Sequence, residues 1–300
     1  MNTAPTSFPV EAPRAQIERR SLLLAWAAML LMSRLPQIVL KEFFALDIHF
    51  GWWLVATAAL LIAATFIWSP VRPLRGYFLI MAAIALFTSL LDTPIRGSAA
   101  WQSWFAEEKG WAIGFFGQRL PLVVEALAII LVLRLMGLKR ADFFLVKGNL
   151  ATSAARLPAL LTLGLAALFA LGLLQLMPPP PRWSQALPWL PAILLFALMN
   201  AFGEEMVYRA APLSQLVPVI SQGHANWITA VWFGLGHFYG GFPSGPLGAA
   251  QAALVGLLFG KAMLATRGIA LPVLLHMLVD TIIYIFLAMA AVAAGTLLPG

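Results

Sequence analysis

Three short motifs in the last third of the chain place ionisable side chains at helical spacing. They are Glu204-Glu205-Met206-Val207-Tyr208-Arg209, Phe233-Gly234-Leu235-Gly236-His237 and His276-Met277-Leu278-Val279-Asp280. Helical residues four apart share a face, so Glu205 can pair with Arg209, while Glu204, rotated by about 100°, points elsewhere. One carboxylate is then neutralised by its own helix and the other is left for a cavity. Phe233 and His237 lie one turn apart, as do His276 and Asp280. A glutamate and a histidine can together hold and deprotonate a water. A second histidine with a neighbour can steady the oxyanion of a tetrahedral intermediate. Taken singly, each motif has a plainer reading: a helix end with solvated carboxylates, or a satisfied core histidine. Three such motifs on three apolar segments favour one shared site. Asn200, one turn before Glu204, is placed to hydrogen-bond within it.

Other chemistries are thinner. The chain has no cysteine, hence no thiolate nucleophile, disulfide or Cys-ligated zinc. Ser214, Ser221 and Ser244 have no partner histidine at recognisable spacing, and there is no His-Glu-x-x-His helix. Glu204, His237 and His276 could still ligate a divalent metal such as zinc.

The elements that must position these groups are membrane helices. Of 300 residues, 61% are hydrophobic and 10% charged, against about 45–50% and 25% in a soluble domain. A bilayer core takes about 20 residues per helical span. Apolar segments run over 21–40, 51–69, 76–91, 112–133, 158–177, 186–207, 226–239, 247–265 and 270–294. The expected fold is all-α, a polytopic transmembrane helix bundle of eight or nine spans with a C-terminal catalytic four-helix core. The count depends on the first segment, which Arg34 and Pro36 interrupt. The 226–239 segment is short and softened by Gly234 and Gly236, as suits a helix inside a bundle. Residues 1–20 read as a disordered cytoplasmic tail. Residues 21–180 read as a transmembrane scaffold, and 181–296 as the functional bundle, with a rigid proline run at 178–181 between them.

The net charge of +7 suits basic loops facing anionic lipid better than nucleic acid. With the N-terminus inside and nine spans, Arg14, Arg19, Arg20, Arg72, Arg75, Arg134, Lys139, Arg140, Lys147, Arg156, Arg209, Lys261 and Arg267 are expected on the cytoplasmic side. Gly248, Ala252, Gly256 and Gly260 fall at intervals of four, a small-residue stripe that admits a close neighbour helix. Arg119 and Glu125 are six apart in one span, so they are expected to find partners across the scaffold.

The three motifs, in this order on successive apolar helices, resemble the type II CAAX prenyl endopeptidase family. This is the CPBP or ABI group of intramembrane proteases, which includes a lysostaphin-resistance and bacteriocin-processing branch. The resemblance covers roughly residues 186–290. It implies a bundle whose cavity opens toward the cytoplasm and the membrane. It implies Glu204 as general base with His237 as its partner on the water, and His276 with Asp280 on the oxyanion side. Glu205 and Arg209 would be structural support, with Phe233 beside them. The family has been described as metalloproteases, but a glutamate-type mechanism with no cofactor is its better reading; zinc is the alternative. Asp280 stands where the eukaryote-like members have Asn. An ionised Asp accepts but does not donate, so here it would orient His276, which weakens prenylated CAAX substrates specifically.

The resulting expectation is an intramembrane endopeptidase, in a bacterial cytoplasmic (inner) membrane, that cleaves a peptide or protein substrate at the lipid surface. The alternatives are a proton-coupled transporter or channel and a non-catalytic immunity or scaffold protein. A transporter would bring an internal repeat, and none is visible.

Overall fold

The computed structural model describes residues 19–105, 110–176, 183–242 and 244–295. Most of the expected tail at 1–20, and the proline run at 178–181, lie outside the described residues.

No strand occurs among the described residues. The helices are α1 (Arg19–Met32), α2 (Leu35–Ile38), α3 (Phe50–Ile67), α4 (Arg75–Leu86), α5 (Thr93–Gly97), α6 (Ala99–Trp104) and α7 (Trp111–Leu135). They continue as α8 (Arg156–Leu176), α9 (Trp183–Ala186), α10 (Leu190–Glu205), α11 (Ala211–Leu216), α12 (Gln222–Gly240), α13 (Gly245–Thr266) and α14 (Ala270–Ala294). Among the described residues, seven helical stretches are long and apolar enough to cross a membrane. An eighth is a broken pair, Arg19–Met32 with Leu35–Phe43, bent by 55°. The bend falls at Ser33 and Arg34, where Pro36 can neither donate a backbone hydrogen bond nor tolerate the preceding turn. Ser33 Oγ accepts instead from the Leu35 N–H at 3.1 Å.

The segment expected at 226–239 forms α12, which is not among the seven. His224, Asn226, Thr229 and His237 lower its hydropathy. Its 19 residues still extend about 28 Å at 1.5 Å per residue. Its most extensive packing partner is α13.

Two of the membrane stretches contain a widened π turn two residues before a proline. Met206–Ala210 joins α10 to α11 ahead of Pro212, and Phe87–Asp92 joins α4 to α5 ahead of Pro94. In each, the following N–H reaches a carbonyl five residues back: Ala211 to Met206, and Thr93 to Thr88. A proline ring crowds the carbonyl four residues before it, and the extra residue in the turn relieves that crowding. The first of these turns carries the Glu-Glu-x-x-x-Arg motif.

The two ends of the bundle differ in charge. At one end a Cβ on Gly76 would meet the side chains of Gln215 and Met136. At that same end the Asn149 N–H donates to the Thr266 carbonyl at 2.8 Å, and the Ile269 N–H to that of Val146 at 3.0 Å. The basic turns 69–75, 134–156 and 261–269 therefore gather together. At the opposite end Tyr239 Oη donates to Glu42 Oε1 at 2.9 Å, and Phe242 packs on Phe169 and Phe286. One core cluster runs through α1, α3, α4, α7, α10–α12 and α14, so residues before and after 180 share a single interior.

Of the small-residue stripe, Gly256 and Gly260 face α12, whereas Gly248 and Ala252 line a cavity. A Cβ on Gly260 would collide with Asn226, and one on Gly256 would lie 2.8 Å from Arg209 Nη2 and 3.1 Å from Phe233 Cδ1. Gly260→Ala should therefore push α12 and α13 apart and destabilise by about 1–3 kcal/mol, the usual cost of overpacking. Gly164→Ala on α8, where an added Cβ meets nothing within 4 Å, should not. Thermal midpoints of the detergent-solubilised variants check this, and equal midpoints would contradict the packing described.

Candidate active site

Glu205 is the innermost group of the motif helix, with its side chain 0% exposed. The π turn lets its Oε1 meet Arg209 Nη1 one turn on. Arg209, likewise 0% exposed, also donates from Nε to the Gly256 carbonyl at 3.2 Å. Its guanidinium lies 4.1 Å from the Phe233 ring centre. Gly256 thus provides both the space and an acceptor for the arginine.

The same Glu205 oxygen accepts from His276 Nδ1 at 2.8 Å. His276 is further fixed by Phe259, whose ring stacks on the imidazole at 4.9 Å. With Nδ1 donating to Glu205, Nε2 is the remaining ring nitrogen. It lies 3.3 Å from Glu204 Oε2 and 3.7 Å from Asp280 Oδ1. A carboxylate facing a bare ring lone pair at that distance is repelled, so the Glu204–His276 contact requires a proton on one of them. The contact is within ion-pair reach but not aligned as a hydrogen bond, because Glu204 Oε2 is buried with no donor on it. Glu204 keeps 15% of its side chain exposed, against none for Glu205.

Asp280 Oδ2 accepts from Asn200 Nδ2 at 3.0 Å, which ties α10 to α14 one turn before Glu204. His237 stands apart from this cluster. Its Nδ1 donates to the Phe233 carbonyl at 2.8 Å, and its ring packs against Phe233 at 4.2 Å. A carbonyl can only accept, so the proton is on Nδ1 and a neutral His237 keeps its Nε2 lone pair available.

A cavity of about 610 Å³ holds His237, His276, Phe233 and Asp280 in its wall. The rest of the wall comes from α8, α13 and α14 and is chiefly apolar, with Leu165, Phe169, Leu173 and Val255, while Gln175 and Gln251 are polar. Glu204 is not part of this wall and reaches it through His276.

The geometry sorts the expected residues. Glu204, Glu205, Arg209, His276 and Asp280 meet directly, with Phe233 against Arg209 and His276. His237 shares their cavity but not their hydrogen bonds. His276 is oriented by Glu205, whereas spacing alone assigns that task to Asp280, because α10 and α14 bring Glu205 closer to the ring than the same-helix neighbour comes. Arg119 and Glu125 do find separate partners: Arg119 Nε donates to Tyr284 Oη at 2.9 Å, and Thr88 donates to Glu125 at 3.3 Å. The sequence reading misses Tyr284, although it lies one turn beyond Asp280 and continues the 276–280 face. Phe259 and the α8 wall carry no sequence signal beyond hydrophobicity.

Among the described residues no set of three His, Asp or Glu groups is arranged to hold a metal ion. In the alternative set Glu204, His237 and His276, His276 turns both nitrogens to carboxylates, whereas His237, with Nδ1 on a carbonyl, keeps Nε2 available.

Residues 186–282 match the model of the type II CAAX prenyl endopeptidase Rce1-like family. Over this third of the chain the sequence is thus similar to that family of membrane proteases. The matched segment contains Glu204, Glu205, Arg209, Phe233, His237, His276 and Asp280, whereas α7, α8 and Tyr284 lie outside it. No curated protein and no solved structure matches the chain significantly. With the long apolar helices, this similarity supports an integral membrane protein.

Breaking the buried pair should be costly. Arg209→Ala leaves Glu205 charged and buried, a situation worth roughly 3–5 kcal/mol. Arg96→Ala removes a pair at 3.9 Å whose arginine is 43% exposed, worth about 0–1 kcal/mol. Thermal unfolding of the two variants should separate them clearly, and similar midpoints would show that Arg209 is not holding a buried charge.

Proposed function

We propose that the chain is a glutamate-type intramembrane endopeptidase of a bacterial cytoplasmic membrane that works without a metal and cleaves a peptide bond in a membrane-proximal segment. The observation that carries this reading is the unequal pair of glutamates around one imidazole. Each keeps one buried oxygen without a hydrogen-bond partner, but Glu205 is wholly buried and held by Arg209 and His276, whereas Glu204 is partly exposed and tied to neither by a hydrogen bond. A general base must be reachable by the proton it takes, while its support should not be.

In the proposed cycle a water bound by Glu204 and by Nε2 of His237 attacks the scissile carbonyl carbon. Glu204 accepts the water proton as the new C–O bond forms. His276, with a proton at Nε2, donates to the developing oxyanion, and Asp280 is its other acceptor. Collapse breaks the C–N bond, and the proton held by Glu204 passes to the leaving amine, giving a carboxylic acid, which keeps the other water hydrogen, and an amine. The apolar cavity wall orders the peptide and excludes bulk water, which strengthens each of these contacts.

Turnover of a reconstituted peptide substrate tests the assignment. Glu204→Gln should abolish cleavage, the loss of a general base being worth about 10²–10⁴-fold, while leaving the thermal midpoint near that of the parent. Asp280→Asn should be tolerated, because the amide oxygen can still accept from His276 while its NH2 donates to an oxyanion. Asp280→Ala should cost more, up to the roughly 10²–10³-fold seen for loss of one oxyanion-side group. A chelator should leave all rates unchanged. Full activity in Glu204→Gln would remove the base, and inhibition by chelator reversed by zinc would replace the metal-free mechanism.

A further inference from the structure

The cavity lies in one half of the bundle only. α13 contributes residues 248–259 of a helix that ends at Thr266, and α8 contributes residues 162–176 of one that starts at Arg156. α12 and the turn after it contribute 233–242, from a helix that starts at Gln222. Thr266, Arg156 and Gln222 all belong to the end where the basic turns gather. The cavity therefore begins at His276, Phe259 and Asp280, near the middle of the bundle, and extends away from that end. Two of its wall residues, Gln175 and Gln251, are polar and exposed. Gln175 lies at the last turn of α8, and Gln251 lies about 9 Å along α13 from its start.

The charge distribution orients this half. The 69–75, 134–156 and 261–269 turns carry Arg and Lys almost without acidic residues, Asp142 being the exception. The opposite end carries Glu42, Asp47 and Asp92 beside Lys41 and Arg96. Short basic loops stay cytoplasmic, where they also meet anionic lipid. The end away from the cavity is therefore cytoplasmic. This disagrees with the cytoplasm-facing cavity that the family resemblance implies.

We propose that the site is reached from the non-cytoplasmic half of the membrane, and that its substrate is a polypeptide segment that has already crossed. Such a segment lays an apolar stretch along the Leu165, Phe169, Leu173 and Val255 wall and brings a peptide bond to His276. Gln175 and Gln251 hydrate the approach and can hydrogen-bond an extended backbone. The substrate side of this inference rests on the protease reading, but the sidedness does not.

The natural chain has no cysteine, so single-cysteine variants report without background. Gln251→Cys, Gln175→Cys and Lys147→Cys would be treated with a membrane-impermeant thiol reagent in intact bacterial cells and in cells broken open. In intact cells Gln251→Cys and Gln175→Cys should react as fully as in broken ones, whereas Lys147→Cys should react only in broken cells. Reaction of Lys147→Cys in intact cells would reverse the orientation and overturn the proposal. So would reaction of Gln251→Cys only in broken cells, or in neither preparation, because the cavity would then not be open to water on the outer side. Labelling does not depend on cleavage, so an inactive protein labelled from outside would sink the protease reading and leave the sidedness standing.

Discussion

The site depends on a buried carboxylate that serves two partners. Glu205 Oε1 meets both Arg209 and His276. Two charges removed from water are held only if their geometry and remaining hydrogen bonds offset the lost hydration. The arginine has Glu205 on one side, the Gly256 carbonyl on another, and the Phe233 and Phe259 rings facing it, while its Nη2 and Glu205 Oε2 have no hydrogen-bond partner. These neighbours come from α10, α12 and α13, so the ion pair fixes where α12 and α13 stand against α10. His276 inherits that position through its Nδ1 bond. The orientation of the second nitrogen, and with it the contact to Glu204, follows from a charge pair to which the proposed mechanism gives no chemical step.

The constraint reaches back to local sequence. Pro212 cannot complete an ordinary helix, and the π turn before it lengthens the register between Glu205 and α11. Gly256 and Gly260 remove the side chains that would otherwise hold α13 away from Arg209 and Asn226. In a membrane, where apolar burial gives helices little reason to associate with one another rather than with lipid, close packing and interhelical polar bonds decide the arrangement. Asn200–Asp280 and Arg119–Tyr284 are two more such bonds. They draw α10 and α7 onto α14 and connect the segment before residue 180 to the one after it.

Much of this was legible in the residues, for definite reasons. Composition and segment length specify a helical membrane bundle, because hydrocarbon admits few alternatives. The Glu205–Arg209 contact follows from i,i+4 geometry within one helix, and the role of the glycine stripe follows from its period. What spacing could not supply is contact between helices. His276 has a carboxylate four residues away on its own helix, yet takes its Nδ1 partner from α10, 71 positions earlier. His237 has the right residue type and the right depth, but its ring is drawn to the Phe233 carbonyl and it meets the others only across the cavity. The wall of α8 looks like any leucine-rich span. Its place beside the site is set by packing against α13 and α14, which no local pattern records.

The central claim is that Glu205 and Arg209 form one compensated unit whose task is to position His276. A double-mutant cycle with Glu205→Gln and Arg209→Met, read as thermal midpoints alongside turnover, tests it most directly. Each single change should be strongly destabilising, and the double variant should regain most of the loss, since a buried pair replaced as a whole is often nearly neutral. Its turnover should remain low, because the amide introduced by Glu205→Gln holds His276 through a weaker, uncharged bond. Additive losses of stability, or a double variant with full activity, would show that the two residues act independently and that His276 is placed by something else.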